Sequence, residues 1–516
     1  MLADGEELAI VDVREELNFA QSHLLHARSV PLGRLELKMA ALVPRRSTRI
    51  VLCDADDGLA DRAADVLGGQ GYSQLHVLAG GTHAWAEAGF ELFSGVNVPS
   101  KAFGEYVEHH SRTPSIDAME LNRLLEQKAD VVVVDSRPFD EYVRVSIPSA
   151  TSMPGAELVL RIRDLAPSPE TLVVVNCAGR TRSIIGAQSL INAGLPNKVV
   201  ALRNGTMGWS LAGLKCESGR AKRAPSPSPA SLKWAKQAAA RVAERYGVQR
   251  IDLALLDRMQ AEAALRTLYL LDVRDSDEYE RGHIRGAISA PGGQLVQATD
   301  QYVGTLGARI VLVDDMEVRA VMSASWLMQM GWNEVFVLVA QGGETGLCAA
   351  QVLGKHEWPD VRIEAAQLEA LLAEGNATVV DLSSSRTYRA GHVPGAWFAI
   401  RSRLRTALSK VMPTGATLVL TSEDGIVAGL ALPEARALTS LRVAYLAGGN
   451  AAWKAAGYAL AAGAERFADE PVDVWLKPYE LSVGTSAAMA EYLAWEVDLI
   501  TRIERDGSCN FHTVDA

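Results

Sequence analysis

Cysteine is scarce and scattered. The 516 residues hold five (Cys53, Cys177, Cys216, Cys348 and Cys509), with no CxxC pair and no Cys/His spacing of the kind that holds a metal. That excludes a disulfide framework and a structural zinc site, and it fits a reducing compartment. Long apolar runs are absent as well, so no stretch is long enough to span a bilayer. The opening Met1-Leu-Ala-Asp-Gly-Glu-Glu lacks the basic and apolar regions of a signal peptide. The expected location is the cytoplasm, with no membrane partner. Positive charge is in deficit, 51 Lys and Arg against 62 Asp and Glu for a net charge of −11. A nucleic-acid partner is therefore not expected. A small anionic ligand is still allowed, because under salt screening a local cationic loop outweighs distant charge.

What is present is a repeat. A strand ending in Asp-x-Arg or a relative occurs as Val11-Asp12-Val13-Arg14, Val134-Asp135-Ser136-Arg137, Leu271-Asp272-Val273-Arg274 and Val380-Asp381-Leu382-Ser383. About forty residues later comes a second apolar strand, ending at Cys53, Cys177, Val313 and Thr421 in turn. A third strand and a glycine turn close each unit, at Gly81, Gly205, Gly343 and Gly449. Cys53, Cys177 and Thr421 each precede a tryptophan (Trp85, Trp209, Trp453) by 32 residues. Four homologous units follow from that register.

Within each unit, strands alternate with helical patterns such as Asp61–Gly69, Ile184–Asn192 and Ala320–Met330. The fold class is α/β: four tandem domains, each an open and mostly parallel sheet flanked by helices. The expected boundaries are 1–98, 110–218, 232–355 and 356–467, with a Pro/Ser linker at 219–231 and a C-terminal tail at 468–516. The linker should divide the chain into two tandem pairs. Units two to four open with a strand-helix lead-in, and the first begins already past that point. Either that lead-in is absent or the start is internal to the natural one. In the tail, Ser486–Ile503 reads as a helix, and Trp475, Tyr479, Tyr492 and Trp495 suggest that it packs on a domain surface.

Chemistry concentrates in Val173-Val-Val-Asn-Cys177-Ala-Gly-Arg180-Thr-Arg182-Ser183. A β-branched run delivers Cys177 to the point where a strand ends and a helix begins, and ligands of open α/β sheets sit at such strand ends. The turn offers backbone N–H groups, a helix N-terminus and two arginines, which together bind anions and lower a thiol pKa. Cys177 is the expected nucleophile. Ala178, Gly179, Arg180, Thr181, Arg182 and Ser183 are the expected substrate-binding residues.

This stretch resembles the active-site loop of the rhodanese family of sulfurtransferases. The resemblance implies a cysteine that carries a persulfide. It implies a small anionic sulfur donor such as thiosulfate, an acceptor that is a thiol, cyanide or a protein, and no cofactor. Related phosphatases use a loop one residue longer, so the shorter loop favours sulfur over phosphate. Two features depart from the family: Val145-Ser-Ile-Pro-Ser-Ala150 replaces the usual Gly-His turn, and Glu141 stands where two-domain thiosulfate enzymes have a substrate-binding arginine.

The other three loops differ. Cys53, a candidate second thiol, is followed by Asp54, Asp56 and Asp57, whose charges oppose a thiolate. Units three and four keep the turns around His283 and His392 but have Val313 and Thr421 at the nucleophile position, so neither loop forms a persulfide. A non-catalytic docking or sulfur-relay protein built from the same modules is the alternative.

Overall fold

The computed structural model describes residues 1–348, 351–356 and 358–513. In the second unit the Val-rich strand Val131–Asp135 and the strand Leu172–Asn176 lie side by side in parallel, with Asp135 opposite Asn176. β-branched side chains suit a pleated surface covered on both faces. Thr151–Ser152 flanks them on one side, Val199–Leu202 and the lead-in Ser115–Ile116 on the other. The same five-strand order recurs in the third unit around Leu268–Asp272 and Arg309–Asp314, and in the fourth around Ala377–Asp381 and Thr417–Thr421.

The first unit has no lead-in strand in its sheet. Its strand Leu8–Asp12 takes an antiparallel partner from the third unit, with Leu8 opposite Leu306 and Ala9 opposite Thr305. One sheet therefore crosses the division that the linker was expected to make.

The Asp-x-Arg signature is structural. Arg137 donates to both Asp135 oxygens (2.9 and 2.7 Å) and to the Val145 carbonyl (2.6 Å). Arg14 and Arg274 repeat the arrangement. His283 and His392 stack on Tyr279 and Tyr388 and hydrogen-bond their carbonyls, so they are turn anchors.

The units pair differently from the expected tandem order. Units two and three share one hydrophobic core, which includes the added helix Pro229–Tyr246. They approach so closely that a Cβ on Gly155 would stand 3.2 Å from Gly293 Cα, and Trp326 Nε1 donates to Ser189 Oγ at 2.8 Å. Units one and four meet through the equivalent turns. There Arg401 forks onto Glu36 (2.9 and 2.8 Å), and Ser402 Oγ donates to Glu15 Oε1 at 2.7 Å. The pairs are thus two with three and one with four.

The Pro/Ser segment does not act as a spacer because it is held down. Glu217 and Arg223 bridge to Ser146 and Ser152 along the second unit. Asp164 accepts from Ser228 N–H, Ser228 Oγ and Ser231 Oγ. Ser228 caps the helix that begins at Pro229, inside the expected linker.

Residues 99–109, unassigned from the sequence, belong to a helix, Val98–Ser111, joining units one and two. It packs on Thr181–Asn192, the helix that follows Cys177, and Gly104 permits the approach. A Cβ there would fall 2.8 Å from Thr181 Cγ2. The tail helix, Thr485–Asp506, lies on Val98–Ser111 in turn, burying Leu499 and Ile503 against Phe93, Val98 and Ala102.

Candidate active site

Cys177 follows the last residue of its strand, Asn176, and is buried. Its carbonyl accepts from the Thr206 N–H (2.8 Å) and hydroxyl (3.0 Å), and the Ala178 carbonyl accepts from Met207 N–H (2.9 Å). The closing turn of the third strand therefore fixes the loop from below. Gly205 is required there: its φ is +53°, and a Cβ would collide with the carbonyls of Cys177 and Gly179. The Cys177 thiol donates to Ser183 Oγ at 3.5 Å, and Ser183 Oγ donates to the Arg180 carbonyl at 2.8 Å.

The residue after the nucleophile position separates the four loops. In unit one it is Asp54, whose oxygens accept from Asp56 N–H (2.9 Å) and Ala60 N–H (3.0 Å). In unit three it is Asp314, which accepts from Met316 N–H (3.1 Å), Arg319 N–H (2.8 Å) and Ala320 N–H (3.3 Å). In unit four Ser422 Oγ accepts from Ala428 N–H at 3.4 Å. Ala60, Ala320 and Ala428 occupy equivalent positions, so in each of these loops that side chain accepts from the same amide. In unit two the residue is Ala178, which has no acceptor to offer. The equivalent amide, Ile184 N–H, bonds the Arg180 carbonyl (3.1 Å) instead. Of the four cradles, this is the one not closed by the residue after the nucleophile position.

Above Cys177 is a cavity of about 170 Å³, and much of its wall comes from outside the second unit. Lys101 is supplied by the inter-unit helix, Gln294, Gln297 and Gln301 by the third unit, and Trp475, Lys477, Tyr479, Tyr492 and Glu496 by the tail. Among the described residues, three buried polar atoms on this wall find no hydrogen-bond partner: Thr181 Oγ1, Gln297 Oε1 and Glu496 Oε2. Buried polar groups are normally paired, so orphans converging on one cavity mark a polar ligand site.

The two arginines behave differently from expectation. Arg180 is held by Glu105 (2.7 and 2.6 Å), by Glu108 and by Asn204 Oδ1 (3.2 Å), so its charge is spent on the inter-unit helix. Arg182 forks onto Glu141 (2.9 Å) and donates to Gln294 Oε1 (3.1 Å). Glu141 also accepts from Lys477 Nζ at 3.1 Å. Burial works against its charge, but Arg182 and Lys477 hold its carboxyl down near 2. The tail thus sets a cation, Lys477, against Glu141.

The thiol corrects a second expectation. Burial pushes the Cys177 pKa up rather than down, and Arg182 and Ser183 counter it only in part. The loop and helix start were expected to dominate, but the tail covers them, and desolvation disfavours the charged form. Cys53 is pushed up too, by burial and then by Asp12.

Lys101, Lys477, the three glutamines and Glu496 were missed by sequence reasoning, since nothing in the spacing of one unit announces a residue lent by another. The aromatic cluster Trp475, Tyr492 and Trp495 was the one visible signal. Its rings surround the Lys101 ammonium at 5.7, 4.7 and 4.8 Å.

Comparison with known proteins agrees with the repeat. The rhodanese-like domain model matches residues 1–88, 117–212, 253–343 and 364–456. The crystal structure of a thiosulfate sulfurtransferase from Pseudomonas aeruginosa is similar over the whole chain. It has 48% identity and a TM-score of 0.96, covering 100% of this chain and 98% of that one. A rhodanese-related protein from Thermoplasma volcanium aligns over 19% of this chain and 96% of its own, at 20% identity and a TM-score of 0.18. Centrosomal protein of 41 kDa from Gallus gallus is 37% identical over 76 residues, 13% of this chain and 21% of that protein.

Proposed function

The chain belongs to the rhodanese-like domain family, and on that premise we propose that it is a sulfurtransferase working by double displacement through a persulfide on Cys177. The observation that carries this reading is the unfilled cradle. Only the second unit combines a cysteine just past the strand end with a following residue, Ala178, whose side chain cannot accept from the loop's amides.

Cys177 gives up its proton to solvent, its thiolate sulfur attacks the outer sulfur of thiosulfate or a related donor, the donor's S–S bond breaks, and its electron pair leaves with sulfite. The outer sulfur stays on Cys177 as a persulfide until a thiol, cyanide or a protein acceptor removes it. Ionisation of Cys177 asks Ser183 Oγ, an acceptor in the resting site, to rotate and donate. Loop amides, Arg182 and the two lysines oppose the donor's negative charge. Arg180 supports the loop through Glu105 and Glu108 rather than by touching the donor. Ala178, Gly179 and Thr181 contribute amides, and Thr181 adds a free hydroxyl.

The third unit, with Val313 at the nucleophile position, has a part in this scheme as one wall of the cavity. Incubation with thiosulfate and, separately, with 3-mercaptopyruvate, followed by intact-mass measurement and cyanide transfer assays, tests the proposal. Sulfur bound at Cys177 is the expected result. Failure to load from any donor would leave the modules as docking surfaces.

A further inference from the structure

Glu496 is a carboxyl group lent to the Cys177 cavity by the C-terminal helix, outside the four repeats. It is 3% exposed. Its Oε2 has no hydrogen-bond partner among the described residues and sits against the reactive loop, 3.1 Å from where a Cβ on Gly179 would be. The groups around it are mixed in sign. The inter-unit helix presents Lys101 and Glu105, the loop presents Cys177, Arg180 and Arg182, and its own helix presents Tyr492. Tyr479 and Lys477 lie on the same cavity wall, and Asp300 of the third unit acts on Lys101.

An ionised carboxylate with a bare oxygen in this cavity would repel a dianion bound beside it. A protonated carboxyl would instead offer its O–H to one of that anion's oxygens, satisfying both groups. We propose that Glu496 acts in its protonated form as a hydrogen-bond donor to the anionic sulfur donor, which makes the C-terminal helix part of the substrate site. This rests on the reading of Cys177 as the sulfur carrier.

The electrostatics agree in direction. Burial raises the Glu496 carboxyl, Lys101 pulls it back, Glu105 pushes it up again, and it comes to about 7. Burial lowers Lys101 to about 8, against the pull of Glu496 and Asp300. Below neutrality the carboxyl is protonated and binding is favoured. Above it the carboxylate opposes the anion and affinity falls.

The test uses the full-length Cys177→Ser variant, which removes both the chemistry and the thiol's own titration, with thiosulfate as the calorimetric probe. From about pH 6 to about pH 8 its affinity should fall about tenfold, as expected when binding requires the proton of a group titrating near neutrality. Adding Glu496→Gln should leave the affinity near its acid value at both pH values, because the amide donates and does not ionise. A flat profile in the parent overturns the proposal without recourse to the second variant. A fall just as steep with Glu496→Gln assigns the titration to Lys101 and overturns it too. So does an absence of thiosulfate binding at both pH values while the wild type still loads sulfur. In the protein that keeps Cys177, Glu496→Gln should flatten the rise of KM for thiosulfate between about pH 6 and about pH 8; a loss of kcat with binding intact would make Glu496 a base for the thiol and overturn the proposal. If the pH-dependent binding is found but wild type never accepts sulfur, the sulfur-carrier reading fails and the Glu496 reading does not.

Discussion

The second and third units share a core and a fold, yet their loops have opposite contents. In the second, Cys177 faces a cavity and the cradle beside it is left open by Ala178. In the third, Val313 takes the nucleophile position and Asp314 fills the cradle. Arg319, at the position of Ser183, is fully buried among Asp314 (2.9 Å), Asp315 (2.7 Å), Glu157 (2.9 Å) and Glu278. One loop has no side chain that closes it from the position after the nucleophile, and the other holds an internal ion-pair network on the same scaffold. The contrast shows that losing the nucleophile is half of the change. A side chain that occupies the anion's place completes it, and the retired unit then serves its neighbour as a cavity wall.

The largest effect is expected from Cys177→Ser, which should abolish sulfur transfer from thiosulfate to cyanide, because serine holds no transferable sulfur. Ala178→Asp comes next. It should reproduce the filled cradle of the third unit and lower kcat/KM for thiosulfate by about a hundredfold or more, the loss of about 3 kcal/mol of charge-assisted hydrogen bonding. In the third unit, Arg319→Met leaves buried carboxylates without their cation and should cost about 3–5 kcal/mol. Faster hydrogen exchange across residues 309–329, read by mass spectrometry, would show it. Cys53→Ser should change turnover least, since burial and the neighbouring Asp12 keep that thiol protonated. If that variant lost as much as Cys177→Ser, the two cysteines would have to work as a relay.

The sequence carried the repeat, the parallel sheets and Cys177 at a strand end because each depends on local pattern: β-branched runs, glycine turns and a fixed spacing. The pairing of units was not legible. Residues 219–231 read as the linker that divides the chain, but Asp164, far away in sequence, ties Ser228 and Ser231 down. The charge state of the site was hidden for a similar reason. Arg180 and Arg182 looked like free cations, yet Glu105, Glu108 and Glu141 meet them in space. Burial of Cys177 depends on a tail about three hundred residues later, so its raised pKa had no local signature. Glu141 was visible as a departure from the family, but its compensation by Lys477 was not.

Stoichiometric sulfur loading is the most direct test of the view that an open cradle makes the second unit the working one. Wild type and Ala178→Asp, both with Cys53 and Cys177 intact, would be exposed to thiosulfate, weighed intact and mapped by peptide. Wild type should gain one sulfur at Cys177, and Ala178→Asp should gain none while remaining folded. Equal loading of the two proteins, or sulfur mapped to Cys53, would contradict it.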